Sequence, residues 1–329
     1  MKVKEIKVEE KIEEKVKNSD NNVINKKEKK SKKKNKIIEN DCISDEKDKK
    51  YSNEPVEIIK KSSNEKKIKK QSKEDIIKKF NEKFNSEDNE YLFSNIINDE
   101  WKKLMIKIDK SIFIEIQNFY NNKMDEELDI FPYYENVFNF TNFCSLENIK
   151  IVIIGQDPYH GLFFNSTEKE FMPEATGLSF SVPIGCKIPP SLLSIFKNLI
   201  KYNHIERMPD NGSLERWAQQ GVLLLNSALT VEKKNPNCHQ KQWKKFTDNI
   251  VKEIAQYKNN LIFIVWGREA NNKTEAITNK ESHKFIISSH PSGLSANKPF
   301  GEHKSFNTTD CFGLANQYLE EMGSEKIIW

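Results

Sequence analysis

The first 75 residues contain a single aromatic side chain, Tyr51, and the first of the chain's five tryptophans is Trp101. Lys, Glu, Asn and Ile dominate that stretch. A segment so poor in large apolar groups buries too little surface to offset the entropy of ordering it. Residues 1–75 therefore read as a disordered tail, and residues 76–329 as one folded domain long enough for a well-buried core. Cysteine is also scarce. Cys42, Cys144, Cys186, Cys238 and Cys311 are odd in number and scattered, with no CxxC pair. Such spacing argues against a disulfide framework, a zinc site or an iron–sulfur cluster, and for a reducing, intracellular setting. No apolar run approaches the roughly 18 residues of a membrane span, and the mean hydropathy of −0.73 excludes a membrane protein of the helical kind. Met1–Ile6 leads into no apolar stretch, and no arginine precedes Arg207, so neither a signal peptide nor a transit peptide is expected. The GxxxxGK[ST] phosphate loop is missing too, which argues against an unrelated nucleotide-binding α/β enzyme.

What the tail does have is lysine. The run Lys26-Lys27-Glu28-Lys29-Lys30-Ser31-Lys32-Lys33-Lys34 suits electrostatic contact with DNA, a nuclear address, or a replication or repair protein partner. AT-rich coding, which inflates Lys, Asn and Ile throughout a chain, produces the same composition without any role.

Beyond residue 145, four short apolar runs stand out: Lys150–Ile154, Gly221–Leu225, Asn260–Val265 and Lys284–Ser288. Continuous runs of this length suit strands buried on both faces of a parallel sheet. Between and after them lie helical signals. Ser191–Tyr202 follows Pro189-Pro190, and Gln242–Tyr257 spaces Trp243, Phe246, Ile250, Val251 and Ile254 at helical intervals. Arg268–Thr278 and Asp310–Met322 are further helices, and Lys73–Asn85 and Asp99–Lys123 precede the sheet. The alternation predicts an α/β fold, a mainly parallel four-stranded sheet flanked by helices.

Polar groups follow each strand: Gly155-Gln156-Asp157-Pro158-Tyr159-His160 after the first, Asn226 after the second, Trp266-Gly267-Arg268 after the third, and Ser289-His290-Pro291-Ser292 after the fourth. Ligands of open parallel sheets bind beyond the carboxyl ends of the strands, so these groups should converge on one crevice. Each fragment alone is ordinary, since an Asp-Pro-Tyr is usually a turn and a strand-end Asn usually a cap.

In this order, together with Gly177-Leu178-Ser179-Phe180-Ser181-Val182, Leu223-Leu224-Leu225-Asn226 and His290-Pro291-Ser292-Gly293-Leu294-Ser295, they closely resemble the uracil-DNA glycosylases of the uracil-N-glycosylase type. The resemblance runs from about residue 90 to the C-terminus. It implies a monofunctional, metal-independent enzyme that everts deoxyuridine from DNA and hydrolyses its glycosidic bond without a cofactor. It makes Asp157 and His290 catalytic, and Gln156, Tyr159, Phe180 and Asn226 the uracil pocket. Tyr159 would exclude the methyl group of thymine, and the Asn226 amide would pair with the uracil edge. By the same resemblance Ser191, Ser292 and Ser295 contact DNA phosphates and Leu294 fills the vacated stack.

The implied partner is uracil-containing DNA, single- or double-stranded, bound by a monomer in the nucleus or at another site of DNA replication. A scaffold role in a replication complex is the alternative. Four departures from the family pattern fall on DNA contacts. Gly293 stands where proline is common, Arg268 where a serine is common, Asn297–Gly301 lacks the usual aromatic stretch, and Leu162–Ala175 is long.

Overall fold

The computed structural model describes residues 92–329. The basic run, the boundary at residue 76 and the expected helix Lys73–Asn85 lie outside the described residues.

Among the described residues a 3-10 turn (Leu92–Asn95) is followed by two α-helices, α1 (Asp99–Met105) and α2 (Lys110–Asp125), where the sequence suggested one over Asp99–Lys123. The break has a local cause. The Asp109 carboxylate accepts the Ser111 N–H at 2.7 Å, an N-cap that begins a new helix instead of prolonging the old one. Asn98 caps α1 in the same manner, accepting from the Glu100 and Trp101 N–H groups. Strand β1 (Ile130–Phe131) and helix α3 (Asn139–Phe143) lead into the sheet.

From there strands and helices alternate. Strand β2 (Ile151–Gly155) is followed by a hairpin of β3 (Leu162–Asn165) and β4 (Glu170–Pro173). Helices α4 (Pro190–Lys201) and α5 (Glu215–Gln219) precede β5 (Val222–Asn226) and β6 (Val231–Glu232). Then come α6 (Gln240–Tyr257), β7 (Ile262–Trp266), α7 (Gly267–Lys273), β8 (Lys284–Ser288) and α8 (Cys311–Glu321).

Strands β5, β2, β7 and β8 form one parallel sheet in that order, as the sequence predicts. Every residue of β2, β5 and β7 is buried, which explains why these segments are unbroken apolar runs. Trp243, Phe246, Ile250, Val251 and Ile254 of α6 are all buried, so the helical spacing of the sequence marks the core-facing stripe. The strands end one residue later than expected in three cases, which makes Gly155, Asn226 and Trp266 the last residues of their strands. The expected helix Arg268–Thr278 starts at Gly267 and stops at Lys273, continuing as a 3-10 turn over Thr274–Ala276.

The order places β5 on one side of β2 and β7 on the other. Successive strands therefore leave β2 in opposite directions, and its carboxyl end is the topological switch point where a crevice opens. Among the described residues two antiparallel pairs lie outside this sheet, β1 with β6 and β3 with β4. The second occupies the long connection after the β2 loop. Among the described residues, no helix is long and apolar enough to cross a membrane.

Candidate active site

At the carboxyl edge of the sheet, Gly155 and Asn226 stand opposite each other in register. A cavity of about 200 Å³ opens beside them, lined by Gln156, Asp157, Tyr159, Phe180, Asn226 and His290, with Ser191, His160, Pro236 and Asn237 completing the wall. The fold thus brings every residue that the sequence pointed to for base binding and chemistry into one slot. A larger cavity of about 690 Å³, bordered by Phe196, Arg207, Trp217 and Trp329, contains none of them.

The floor depends on a missing side chain. A Cβ on Gly155 would overlap Asn226 Oδ1 and sit 2.7 Å from Ser179 Cβ. Asn226 itself is 5% exposed, and its buried Oδ1 has no hydrogen-bond partner. A buried acceptor left unpaired costs about 1–3 kcal/mol, and one lining a cavity is placed for a donor on a ligand. Phe180 has a left-handed backbone, φ 63°, a conformation that costs a non-glycine residue roughly 1–3 kcal/mol. Its ring packs edge-on to Trp266, centroids 5.3 Å apart, and lies 5.9 Å from the His290 ring. The Tyr159 hydroxyl donates to the Phe180 carbonyl at 3.4 Å. Burial raises the Tyr159 pKa well above the usual phenol range, so the hydroxyl stays protonated.

His290 follows the end of β8. The Ser292 N–H donates to its Nδ1 at 3.1 Å, and burial lowers its pKa to about 4. The ring is neutral at pH 7, and with Nδ1 acting as acceptor its one proton belongs on Nε2.

Asp157 sits in the loop after β2, held from two sides. The Asn237 N–H donates to Oδ2 at 2.6 Å, and the Gln240 side-chain amide donates to Oδ1. The same amide nitrogen donates to the Gln156 carbonyl at 2.8 Å, and the Gln156 amide donates to Asn237 Oδ1. These bonds close a ring joining the β2 loop to the turn before α6. Asn237 has φ 67°, a left-handed conformation that asparagine tolerates and that presents its N–H to the carboxylate. Sequence reasoning missed Asn237 and Gln240. The only signal was the turn-forming Asn235-Pro236-Asn237, which carries no indication of the distant aspartate it meets.

The residues expected to touch DNA surround the slot. Ser191, second in α4, lines the slot itself. Arg268, Ser292 and Ser295 line an adjoining cavity of about 310 Å³ that shares Gly155, Gln156 and His290 with it. Leu294 is 86% exposed, so it is not tucked into its own core, and a Cβ on Gly293 would meet nothing within 4 Å. The base of this loop is secured. Ser289 Oγ accepts the Phe306 N–H at 2.9 Å and donates to the Ser295 carbonyl at 3.0 Å.

Residues 141–320 match the family model described as the Uracil DNA glycosylase superfamily. The chain is 40% identical to a uracil-DNA glycosylase of Bacillus mycoides over 237 residues, 71% of this chain and 97% of that protein. It is 41% identical to a uracil-DNA glycosylase of Psychromonas ingrahamii over 231 residues, 70% of this chain and 99% of that one. Among solved structures it resembles mimivirus uracil-DNA glycosylase, with a TM-score of 0.68 and 30% identity over 77% of this chain and 92% of the other.

Proposed function

Because the chain belongs to the uracil DNA glycosylase superfamily, we propose that its slot receives an everted deoxyuridine and that Asp157 and His290 carry the hydrolysis. The activity is removal of uracil from DNA by cleavage of the N-glycosyl bond, a step of base excision repair, and eversion of the target nucleotide is the family's general mechanism. The observation that supports the residue assignment is the single cavity shared by the Asp157 carboxylate, the His290 ring and the unpaired Asn226 amide oxygen.

Each group then has a task that its surroundings suit. Uracil presents an N3–H donor beside the O4 acceptor. Asn226 Oδ1 takes the first and its amide N–H the second. Cytosine presents the reverse polarity and would leave buried groups unpaired. Phe180 offers a face for stacking, Tyr159 crowds ring position 5 against a methyl group, and Gln156 adds a polar contact to the base.

As the C1′–N1 bond breaks, its electron pair moves onto the uracil ring and positive charge grows on the sugar. Neutral His290 donates from Nε2 to the uracil oxygen that gathers charge. A preorganised donor of this kind is worth about 2.7–4 kcal/mol. Asp157 faces the sugar, stabilises the cationic carbon, and orients the water whose oxygen bonds to C1′ while its proton passes to the carboxylate. No lysine acts as nucleophile, so the product is an abasic site in an unbroken strand.

Ser191, Ser292, Ser295 and Arg268 hold phosphates on either side, and Leu294 enters the stack from its exposed loop. The lysine-rich run at residues 26–34 adds electrostatic contact with DNA or with replication or repair proteins, and the enzyme works as a monomer inside the cell where DNA is copied. Incubating the protein with a uracil-containing oligonucleotide in EDTA, then treating with alkali, tests the reading. Strand breaks only after alkali are expected. Breaks without alkali, or activity that requires added metal, would overturn it.

A further inference from the structure

Glu232 and His239 face each other next to the turn that grips Asp157, with Cys238 between that turn and the histidine. Among the described residues, Glu232, Cys238 and His239 bring one carboxylate oxygen, one thiol and one imidazole nitrogen within 4.8 Å of one another. His239 Nε2 is 3.4 Å from Glu232 Oε1, and the Glu232 N–H points at Cys238 Sγ across 3.3 Å. Ligands of tetrahedral zinc at bond lengths of about 2.0–2.3 Å stand roughly 3.3–3.6 Å apart, so a small contraction of this triad completes three of four positions, with water as the fourth.

The imidazole is already oriented for such a bond. His239 is 1% exposed, and its Nδ1 is 2.9 Å from Thr230 Oγ1, which also accepts from Trp243 Nε1 at 2.7 Å. A hydroxyl on the far ring nitrogen holds the ring with Nε2 turned toward Glu232, and a metal bound there displaces the Nε2 proton. One cation competes for the place: Lys123 Nζ lies 3.3 Å from Glu232 Oε1. It also pairs with Glu126 at 2.8 Å and keeps that partner when displaced.

We infer that Glu232, Cys238 and His239 bind one thiophilic divalent cation, of the zinc or cadmium kind, and that its binding slows excision. The coupling follows from the chain. Asn237 and Gln240, which flank Cys238 and His239, hold both oxygens of Asp157. Drawing the thiolate and imidazole onto a metal pulls the two residues between which the Asp157 clamp is built. The cation is an inhibitor here, not a cofactor, so excision in EDTA and arrest by zinc belong to one scheme. The binding half stands without the glycosylase reading, and the inhibition half rests on it.

The test titrates the full-length protein, its C42S variant and C238S with Co²⁺, then measures uracil excision against free Zn²⁺. A thiolate-to-cobalt charge-transfer band saturating at one equivalent is expected in the first two and lost in C238S. Zinc inhibition should weaken at least tenfold in C238S, while its excision in EDTA matches the parent. H239Q should lose the band as well. A band that survives C238S, or no band at all, would overturn the site. Equal zinc sensitivity in the full-length protein and C238S would overturn the coupling. Absence of excision from every protein in EDTA would strike the functional reading and leave the cobalt result to decide the site.

Discussion

The backbone N–H of Ser292 donates to His290 Nδ1 at 3.1 Å, so the residue after the His-Pro pair decides which nitrogen of the ring carries the proton. Had Nδ1 carried the proton, Nε2 would offer a lone pair where the proposed chemistry needs a donor. Glutamine in place of His290 retains a donor but not this orientation, and its excision rate should fall by about 10²–10³-fold. Single-turnover kinetics on a uracil oligonucleotide checks this, and an unchanged rate would remove His290 from the mechanism.

The same burial predicts a pH dependence of stability. The His290 pKa is about 4 in the folded protein, below the roughly 6.5 of an unfolded histidine. The unfolded state therefore takes up the proton first as pH falls. Stability from this group is full above about pH 6.5 and is lost down to about pH 4, with a slope of at most about 1.4 kcal/mol per pH unit. Urea denaturation across that window should show a shallower decline for His290→Gln than for the parent. Equal slopes would refute the assignment.

Asp157→Asn should lower the excision rate by about 10²–10⁴-fold while affinity for uracil DNA stays near that of the parent. The amide keeps the size of the carboxylate and loses the charge that attracts the cationic sugar. Rate and binding measured on one oligonucleotide separate the effects, and normal turnover would exclude Asp157 from the reaction.

Gly155→Ala tests the floor of the slot. Its new Cβ would overlap Asn226 Oδ1 and press on Ser179 Cβ at 2.7 Å, an overpacking that costs about 1–3 kcal/mol. Inhibition by free uracil should weaken accordingly. Uracil binding as tight as the parent's would show that Asn226 does not need its observed position.

Base choice is checked by two substitutions. Asn226→Asp, protonated when buried, can present a donor and an acceptor in the order cytosine requires, and should release cytosine from DNA. Tyr159→Ala removes the side chain that crowds ring position 5 and should admit thymine. Base release measured on matched oligonucleotides decides both, and strict retention of uracil by both variants would refute the recognition scheme.

Much of the fold was legible because burial on both faces leaves a plain mark. Ile151–Ile154, Val222–Leu225 and Ile262–Val265 are unbroken apolar runs, as strands of a parallel sheet covered by helices on both faces should be. The helix break at Asp109 was less visible, because one carboxylate reaching a neighbouring N–H decides it against a continuous apolar pattern.

The sequence by itself determined the sheet, the strand-end position of Asp157, Asn226 and His290, and the family resemblance, since local propensity and side-chain chemistry are written residue by residue. Tertiary structure alone decided who holds whom. Nothing local to Asn237 or Gln240 announces an aspartate some eighty positions earlier, and nothing in the spacing of Glu232, Cys238 and His239 reveals that their ligand atoms face one another. Such contacts arise where separate strand ends and turns are packed together by the core, and hydrogen bonds across that packing depend on distances that no linear pattern encodes.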